Sequence, residues 1–207
     1  MKFIVGLTGG IASGKSYVSK KLIELGYSVI DTDNISRSLY SDKFYLDKIK
    51  ESFPETFNLG KFDKKKLSKI VFDDTKKLEL LNSIAHPIIL KKTREEINKY
   101  NGIIFIDAPL LFEANFDILC NLVVCVYTKE SEQLKRLISR DNIDIKQARK
   151  IIDSQMSVNE KKKKSDILLE SCEDFSETDK NILEMIERIN QYVKSIWNKW
   201  KSKERLS

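Results

Sequence analysis

The stretch Gly9-Gly10-Ile11-Ala12-Ser13-Gly14-Lys15-Ser16 constrains this chain more than any other, because it fits the phosphate-binding pattern G-x-x-x-x-G-K-[ST]. The apolar run Phe3 to Leu7 precedes it, and Val18, Leu22 and Leu25 follow it at helical spacing. A loop between a buried strand and a helix presents unpaired backbone N–H groups, and the positive end of the helix dipole, to a polyphosphate. The sequence therefore predicts a P-loop.

Glycine usage separates this prediction from its alternative, a chance match in a glycine turn. Only 7 of the 207 residues are glycine, yet four of them fall between positions 6 and 14. Lys15 is expected to reach the β- and γ-phosphates, and the Ser16 hydroxyl to bind the Mg²⁺ that bridges them. We expect ATP, with Mg²⁺ as cofactor, to bind at Gly10, Ile11, Ala12, Ser13, Gly14, Lys15, Ser16 and Tyr17.

Composition limits the other functions open to the chain. Hydrophobic residues make up 41% of it, enough for a core, and no apolar run is long enough for a signal peptide or a membrane span. Three cysteines without a C-x-x-C pair argue against a disulfide framework and favour a reducing cytoplasm. His86 is the only histidine, so a carboxylate is the expected general base. The net charge of +6 permits an anionic partner, but lysines spread over solvated helices are the simpler explanation.

Four further apolar runs predict strands, and the helical spacing between them predicts an α/β fold with a parallel sheet. Between positions 34 and 100 no strand pattern appears, and we expect several short helices, one of which begins at Pro87. His86 is expected to mark the entrance to that helix, and contact with a substrate is the alternative. A long amphipathic helix is expected from about Phe175 onward. The four runs are Tyr27 to Ile30, Ile103 to Ile106, Leu122 to Tyr127 and Asp166 to Leu169.

Carboxylates follow two of these predicted strands. Ligands of open α/β sheets bind beyond the carboxyl ends of the strands, so Asp33, just after the second strand, is a candidate base. Capping of the next helix by Asp31 or Asp33 is the alternative, and the sequence does not decide between them. Asp107 follows the Ile103 to Ile106 run and is expected to complete the Mg²⁺ shell opposite Ser16, with Asp31 as a further candidate.

Three arginines, Arg136, Arg140 and Arg149, lie on predicted helices ahead of the lysine run Lys161 to Lys164. A guanidinium binds two phosphate oxygens at once, so such a residue suits a transferring phosphoryl group. We select Arg140 for this role. We also predict that residues 140–164 form a lid that moves when nucleotide binds.

A series of motifs, taken in order, resembles the dephospho-CoA kinases, which use ATP to phosphorylate the ribose 3′-hydroxyl of dephospho-CoA. The likeness runs from end to end of the chain. Its motifs are Gly6-Leu7-Thr8-Gly9-Gly10-Ile11, Ile30-Asp31-Thr32-Asp33 with Arg37, Ile84-Ala85-His86-Pro87, Asp107-Ala108-Pro109-Leu110-Leu111-Phe112-Glu113, Arg140-Asp141 and Gln155.

The resemblance implies a P-loop nucleoside-kinase-like three-layer fold in one domain with three parts. These are a nucleotide-binding core (1–33, 101–139 and 165–207), a helical acceptor-binding part (34–100) and a lid (140–164). It also implies that Lys15 and Asp33 are catalytic, that Arg140 contacts ATP, and that the partners are ATP and dephospho-CoA. We expect a cytoplasmic monomer without nucleic-acid or membrane partners. The acceptor-binding residues that it implies are Asp33, Arg37, His86, Pro109, Leu110 and Leu111.

Departures from the family pattern and rival interpretations stay open. Ala12 stands where the family usually has glycine, and Tyr17 where it has threonine. Ser171 and Glu173 replace an asparagine and a glycine, which brings the adenine-side contacts into question. The rivals are another P-loop small-molecule kinase, such as a nucleoside monophosphate kinase, and an RNA-binding P-loop protein. A GTPase is disfavoured, because the chain has no D-x-x-G motif.

Overall fold

The computed structural model describes residues 2–72 and 74–204, with side chains up to position 198. The chain divides into two units, one formed by residues 1–29 and 100–207 and the other by residues 30–99. The strands are β1 (Lys2–Gly9), β2 (Ser28–Asp31), β3 (Phe57–Asn58), β4 (Lys61–Phe62), β5 (Gly102–Asp107), β6 (Leu122–Tyr127) and β7 (Ile167–Glu170). The helices are α1 (Lys15–Glu24), α2 (Thr32–Ser38), α3 (Lys43–Ser52), α4 (Lys64–Phe72), α5 (Thr75–Asn98), α6 (Glu130–Asp141), α7 (Ile145–Asp153), α8 (Val158–Lys164) and α9 (Phe175–Glu204).

Five strands form one sheet in the order β2-β5-β1-β6-β7, and the pairs β1 with β5, β1 with β6 and β6 with β7 are parallel. This confirms the predicted α/β fold with a parallel sheet. The five predicted apolar runs fall on the five strands of this sheet. Parallel strands are buried on both faces, which explains why β5 and β6 are almost uninterrupted runs of apolar side chains.

The core of the first unit lies between the sheet, α1 and α9. Val5 and Leu7 of β1 are fully buried and belong to the same cluster as Leu22 of α1 and Ile182 of α9. Successive strand residues face opposite sides, so Thr8 points to the other face, where α8 contacts β1 and β6. This packing fixes the carboxyl end of β1, where the P-loop begins.

The second unit, residues 30–99, is mainly helical, and α5 contacts α2, α3 and α4. Two predictions for it were wrong. β3 and β4 form an antiparallel hairpin where no strand was expected. α5 continues through Pro87, so His86 lies inside a 24-residue helix and does not mark a helix entrance. In residues 2–72 and 74–204, no helix is long and apolar enough to cross a membrane.

Candidate active site

The P-loop connects the end of β1 at Gly9 to the start of α1 at Lys15. Gly14 caps α1 with a φ of +92°, and a Cβ atom at this position would lie 2.2 Å from the Ser171 Oγ. Both observations require glycine. The buried hydroxyl of Ser13 has no hydrogen-bond partner among the described residues. It is therefore available as a donor or acceptor inside the loop that should bind phosphate.

Lys15 forms an ion pair with Asp107, and Ser19 donates a hydrogen bond to the other carboxylate oxygen of Asp107. Lys15 and Ser19 lie one turn apart on α1, whereas Asp107 ends β5, directly opposite Leu7 of β1. Asp107 is only 8% exposed, so the ammonium compensates a carboxylate that has lost most of its water. The structure thus brings together the predicted phosphate-binding lysine and the predicted strand-end carboxylate.

The side-chain oxygens near this pair fit a magnesium ion that is bound mainly through the phosphates of a nucleotide. Ser16 is exposed on the first turn of α1. Lys15 and Ser19 of the same helix bind the Asp107 carboxylate and hold it beside the start of α1. Mg²⁺ in nucleotide sites takes one or two protein ligands and completes its shell with phosphate oxygens and water. The described part of the chain contains no group of three or more His, Cys, Asp or Glu side chains that could hold a metal.

Two side chains of α6 support the P-loop and were not predicted to do so. Gln133 is 4% exposed and donates from Nε2 to the Ile11 carbonyl at 2.8 Å. Arg136 donates to the Cys172 carbonyl at 2.9 Å and to the Ser171 hydroxyl at 3.2 Å. Ser171 also packs against Gly14. Arg136 therefore supports the P-loop indirectly, by binding the loop that follows β7. The spacing of three between Gln133 and Arg136 placed them on one helix face and was the available signal.

Arg140, the arginine selected from the sequence, lies in the last turn of α6 and is exposed. Its Nε and Nη2 donate to the two carboxylate oxygens of Asp141 at 2.7 and 2.9 Å. These hydrogen bonds lower the pKa of Asp141 and raise that of Arg140. A pocket of about 620 Å³ opens beside α6, and Gln133, Gln155 and Val158 are among its lining residues, whereas Arg140 is not.

The turn after β5 carries three residues predicted to bind the acceptor. Leu110 is 41% exposed, but Leu111 is fully buried, so its side chain belongs to the core. The Pro109 carbonyl accepts a hydrogen bond from the Thr8 hydroxyl at 3.2 Å and one from the Lys161 ammonium at 2.5 Å. Neither donor was predicted. Thr8 lies directly before the P-loop, so this turn and the P-loop are joined by a hydrogen bond.

The remaining candidates lie in the second unit, and the structure answers the question of the helix cap. Asp31 is the N-cap of α2 and accepts from the backbone N–H groups of Asp33 and Asn34 at 2.8 and 3.0 Å. Asp33 occupies the first turn and is exposed, and Arg37 lies 3.8 Å from the Asp31 carboxylate. His86 is half-buried in α5, and burial lowers its pKa below the ordinary value.

Comparison with known proteins gives consistent matches over nearly the whole chain. The family model for dephospho-CoA kinase matches residues 3–177. The dephospho-CoA kinase of Fusobacterium nucleatum is 40% identical over 196 residues, which cover 93% of this chain and 98% of that protein. That of Carboxydothermus hydrogenoformans is 39% identical over 207 residues, covering 97% of this chain and 98% of that protein. The solved dephospho-CoA kinase from Campylobacter jejuni superposes with a TM-score of 0.69 at 29% identity, covering 92% of this chain and 98% of that one.

Proposed function

The chain belongs to the dephospho-CoA kinase family, and we propose that it transfers the γ-phosphoryl group of ATP to the ribose 3′-hydroxyl of dephospho-CoA, giving coenzyme A and ADP. The family match supports the choice of acceptor, and one observation supports phosphoryl transfer from a bound nucleotide above all. The P-loop places Lys15 beside Asp107 at the carboxyl end of the sheet, the position at which P-loop kinases bind the β- and γ-phosphates.

The P-loop residues have distinct roles in this proposal. Backbone N–H groups from Gly10 to Tyr17 bind the phosphates, and Lys15 compensates the charge that develops on the transferring group. Arg140 releases Asp141 and contacts ATP. Ser16 and Asp107 would hold Mg²⁺, which would neutralise phosphate charge when bound.

The acceptor is activated by a carboxylate in this proposal. Asp33 accepts the proton of the 3′-hydroxyl while the new P–O bond forms, and Arg37 and His86 bind the acceptor together with the turn at Pro109 and Leu110. Three free cysteines support a reducing, cytoplasmic site of action. We further propose that the enzyme acts as a monomer, without nucleic-acid or membrane partners.

One assay tests the proposal directly. The protein is incubated with ATP and Mg²⁺ and either dephospho-CoA or a panel of nucleoside monophosphates, and ADP formation is followed. We expect ADP only with dephospho-CoA, a product whose ³¹P spectrum contains a 3′-phosphomonoester, and no reaction when Mg²⁺ is chelated. ADP formation with a nucleoside monophosphate in place of dephospho-CoA would assign the chain to a different kinase reaction.

A further inference from the structure

Lys161 differs from the other lysines of the run 161–164. Its side chain has 0% exposure, whereas Lys163 and Lys164 are exposed and Lys162 lies over the Tyr127 ring at 3.3 Å. A fully buried lysine is uncommon, because removing an ammonium from water costs several kcal/mol unless close partners compensate it. The partners of Lys161 therefore indicate what the buried charge does.

The ammonium of Lys161 contacts two residues of the turn that follows β5. It donates to the Pro109 carbonyl at 2.5 Å and lies 3.0 Å from the Glu113 Oε1. The same carboxylate oxygen accepts from the Met156 backbone N–H at 3.1 Å, two residues before α8 begins. One helix is thus connected to two residues of this turn, Pro109 and Glu113, which lie on either side of Leu110.

The same helix also touches the P-loop. A Cβ atom at Gly10 would lie 2.6 Å from the Val158 Cγ2, so the first residue of α8 packs directly against the loop backbone. Thr8, two residues before Gly10, shares the Pro109 carbonyl with Lys161. The turn and the P-loop therefore have a common support in α8, and Lys161 is its charged contact.

A purely structural role does not explain this pair well. Replacing a buried ion pair by apolar side chains is often neutral or stabilising, so burial alone gives no reason to use a lysine here. The pair also includes an unsatisfied atom, because the buried Glu113 Oε2 has no hydrogen-bond partner among the described residues. A directional contact that fixes the position of a turn is a reason to use charged groups at this cost.

We propose that Lys161 is a positioning residue for the acceptor: by holding Pro109 and Glu113, it fixes the turn against which dephospho-CoA binds at a set place relative to the P-loop. The inference rests on the proposed function, because it assigns that turn to the acceptor. It predicts that loss of the ammonium affects the acceptor more than it affects ATP, since the P-loop keeps its own contacts with Asp107 and Gln133.

The test compares Lys161→Met with the matched control Lys163→Met, which removes a charge from the same helix at an exposed position. Steady-state kinetics with each substrate varied give both KM values, and melting curves give stability. We expect Lys161→Met to raise the KM for dephospho-CoA about tenfold or more and to leave the KM for ATP within about twofold. Lys163→Met should change neither. A lower melting temperature with an unchanged KM for dephospho-CoA, or an equal rise in both KM values, would overturn the inference.

A second variant decides the question if Lys161→Met does not fold. Glu113→Gln keeps the size of the side chain and an acceptor for Met156, but it removes the charge that orients the ammonium. We expect a folded enzyme with a KM for dephospho-CoA raised about threefold or more, and a wild-type KM would overturn the inference. Failure of the wild-type protein to phosphorylate dephospho-CoA would instead overturn the proposed function. Normal wild-type turnover with unaffected variants would overturn the positioning role alone.

Discussion

Lys15, in the first turn of α1, and Asp107, the last residue of β5, form an ion pair in which the two side chains are 12% and 11% exposed. The pair connects the P-loop helix to the central part of the sheet. Ser19 completes the arrangement by donating to the second oxygen of Asp107. The lysine that should bind phosphate is therefore held in place by the carboxylate that should bind the metal.

The first prediction concerns Lys15→Ala. Removing the ammonium should lower kcat at least about a thousandfold, because the charge compensation on the transferring phosphoryl group is lost. It should also lower the free energy of unfolding by about 1–3 kcal/mol, because the buried Asp107 carboxylate loses the ammonium that compensates its charge. ADP formation and urea unfolding measure the two effects.

A double variant serves as the control for this prediction. Lys15→Ala combined with Asp107→Asn removes both charges, so most of the lost stability should return while activity stays absent. Substantial turnover by either folded protein would show that Lys15 does not act on the phosphates.

The second prediction concerns Ala12, one of four residues other than glycine with a positive φ among those described. Its φ of 56° lies in the left-handed region, which is strained for a residue with a Cβ atom. Ala12→Gly should therefore stabilise the protein by about 0.5–1 kcal/mol, with kcat within about twofold of the wild type. Ala85→Gly inside α5 should have the opposite effect and lower the free energy of unfolding by about 1 kcal/mol. Destabilisation by Ala12→Gly would refute the strain argument.

The parallel sheet could be predicted because its strands carry strong local signals. β5 was expected at Ile103 to Ile106 and extends from Gly102 to Asp107, and β6 was found at its predicted bounds. Each is a β-branched, apolar run that is followed by a polar or glycine-containing segment. Such runs fit a strand that is buried on both faces of the sheet. The P-loop could likewise be recognised because its glycines have a local, steric cause.

The hairpin of β3 and β4 could not be predicted in this way. Its turn contains Leu59 at a φ of 47° and Gly60 at a φ of 78°, a pair of left-handed residues typical of a type I′ turn. Asparagine is the usual residue at the first of these positions, and a leucine that is 97% exposed gives no such signal. With two residues in each strand, the hairpin also has no alternation to detect.

Pro87 was expected to begin a helix, but packing overrides this local rule in α5. Proline removes one backbone N–H and so costs a helix one hydrogen bond, which normally favours a boundary. In α5 the buried residues Ile89, Thr93 and Ile97 lie on one face after the proline, and the helix packs against α2, α3 and α4. Tertiary packing of this kind provides most helix stability in proteins.

The residues that support the site could not be predicted either, because their roles depend on tertiary contacts. Nothing in the run 161–164 distinguishes Lys161 from its neighbours, because the buried face of α8 is decided by where the helix docks on β6. Arg140 was selected over Arg136 as the arginine for the transferring phosphoryl group, yet Arg136 makes the contacts behind the P-loop. The role of Arg140 with ATP stays a prediction.

The third prediction concerns pH and uses the single histidine of the chain. Burial lowers the pKa of His86 below its ordinary value of 6.5. Between the folded and unfolded pKa values the unfolded state binds more protons, so stability rises with pH through that interval. The stability that this pKa shift contributes is complete above pH 6.5, and it is lost as the pH falls through the pKa of His86 in the folded state.

NMR measures this shift directly, because one histidine gives one imidazole Cε1–H titration curve. We expect its midpoint below pH 6.5. Urea unfolding from about pH 8 to about pH 5 should show that the wild-type protein loses more stability on acidification than His86→Gln does. A midpoint at or above the ordinary value would contradict the prediction.

The last prediction separates a cap from a base. Asp31 caps α2 with its carboxylate, so Asp31→Ala should lower the free energy of unfolding by about 1 kcal/mol. Asp33 lies two residues later, in the first turn of the same helix, and is exposed. Asparagine at this position keeps the size of the side chain but removes its negative charge and its ability to accept a proton.

Asp33→Asn should therefore leave stability and the KM for ATP nearly unchanged while kcat falls about a hundred- to ten-thousandfold, the range expected for a positioned general base. The physical reason is that the ribose hydroxyl must lose its proton as the P–O bond forms, and a carboxylate within hydrogen-bond reach both orients the oxygen and accepts that proton. Steady-state kinetics and melting curves of Asp31→Ala and Asp33→Asn, measured side by side, give opposite patterns if each carboxylate has the role assigned to it. More than about a tenth of the wild-type kcat in Asp33→Asn would mean that Asp33 only orients the acceptor, since the transfer would then proceed without it as a base.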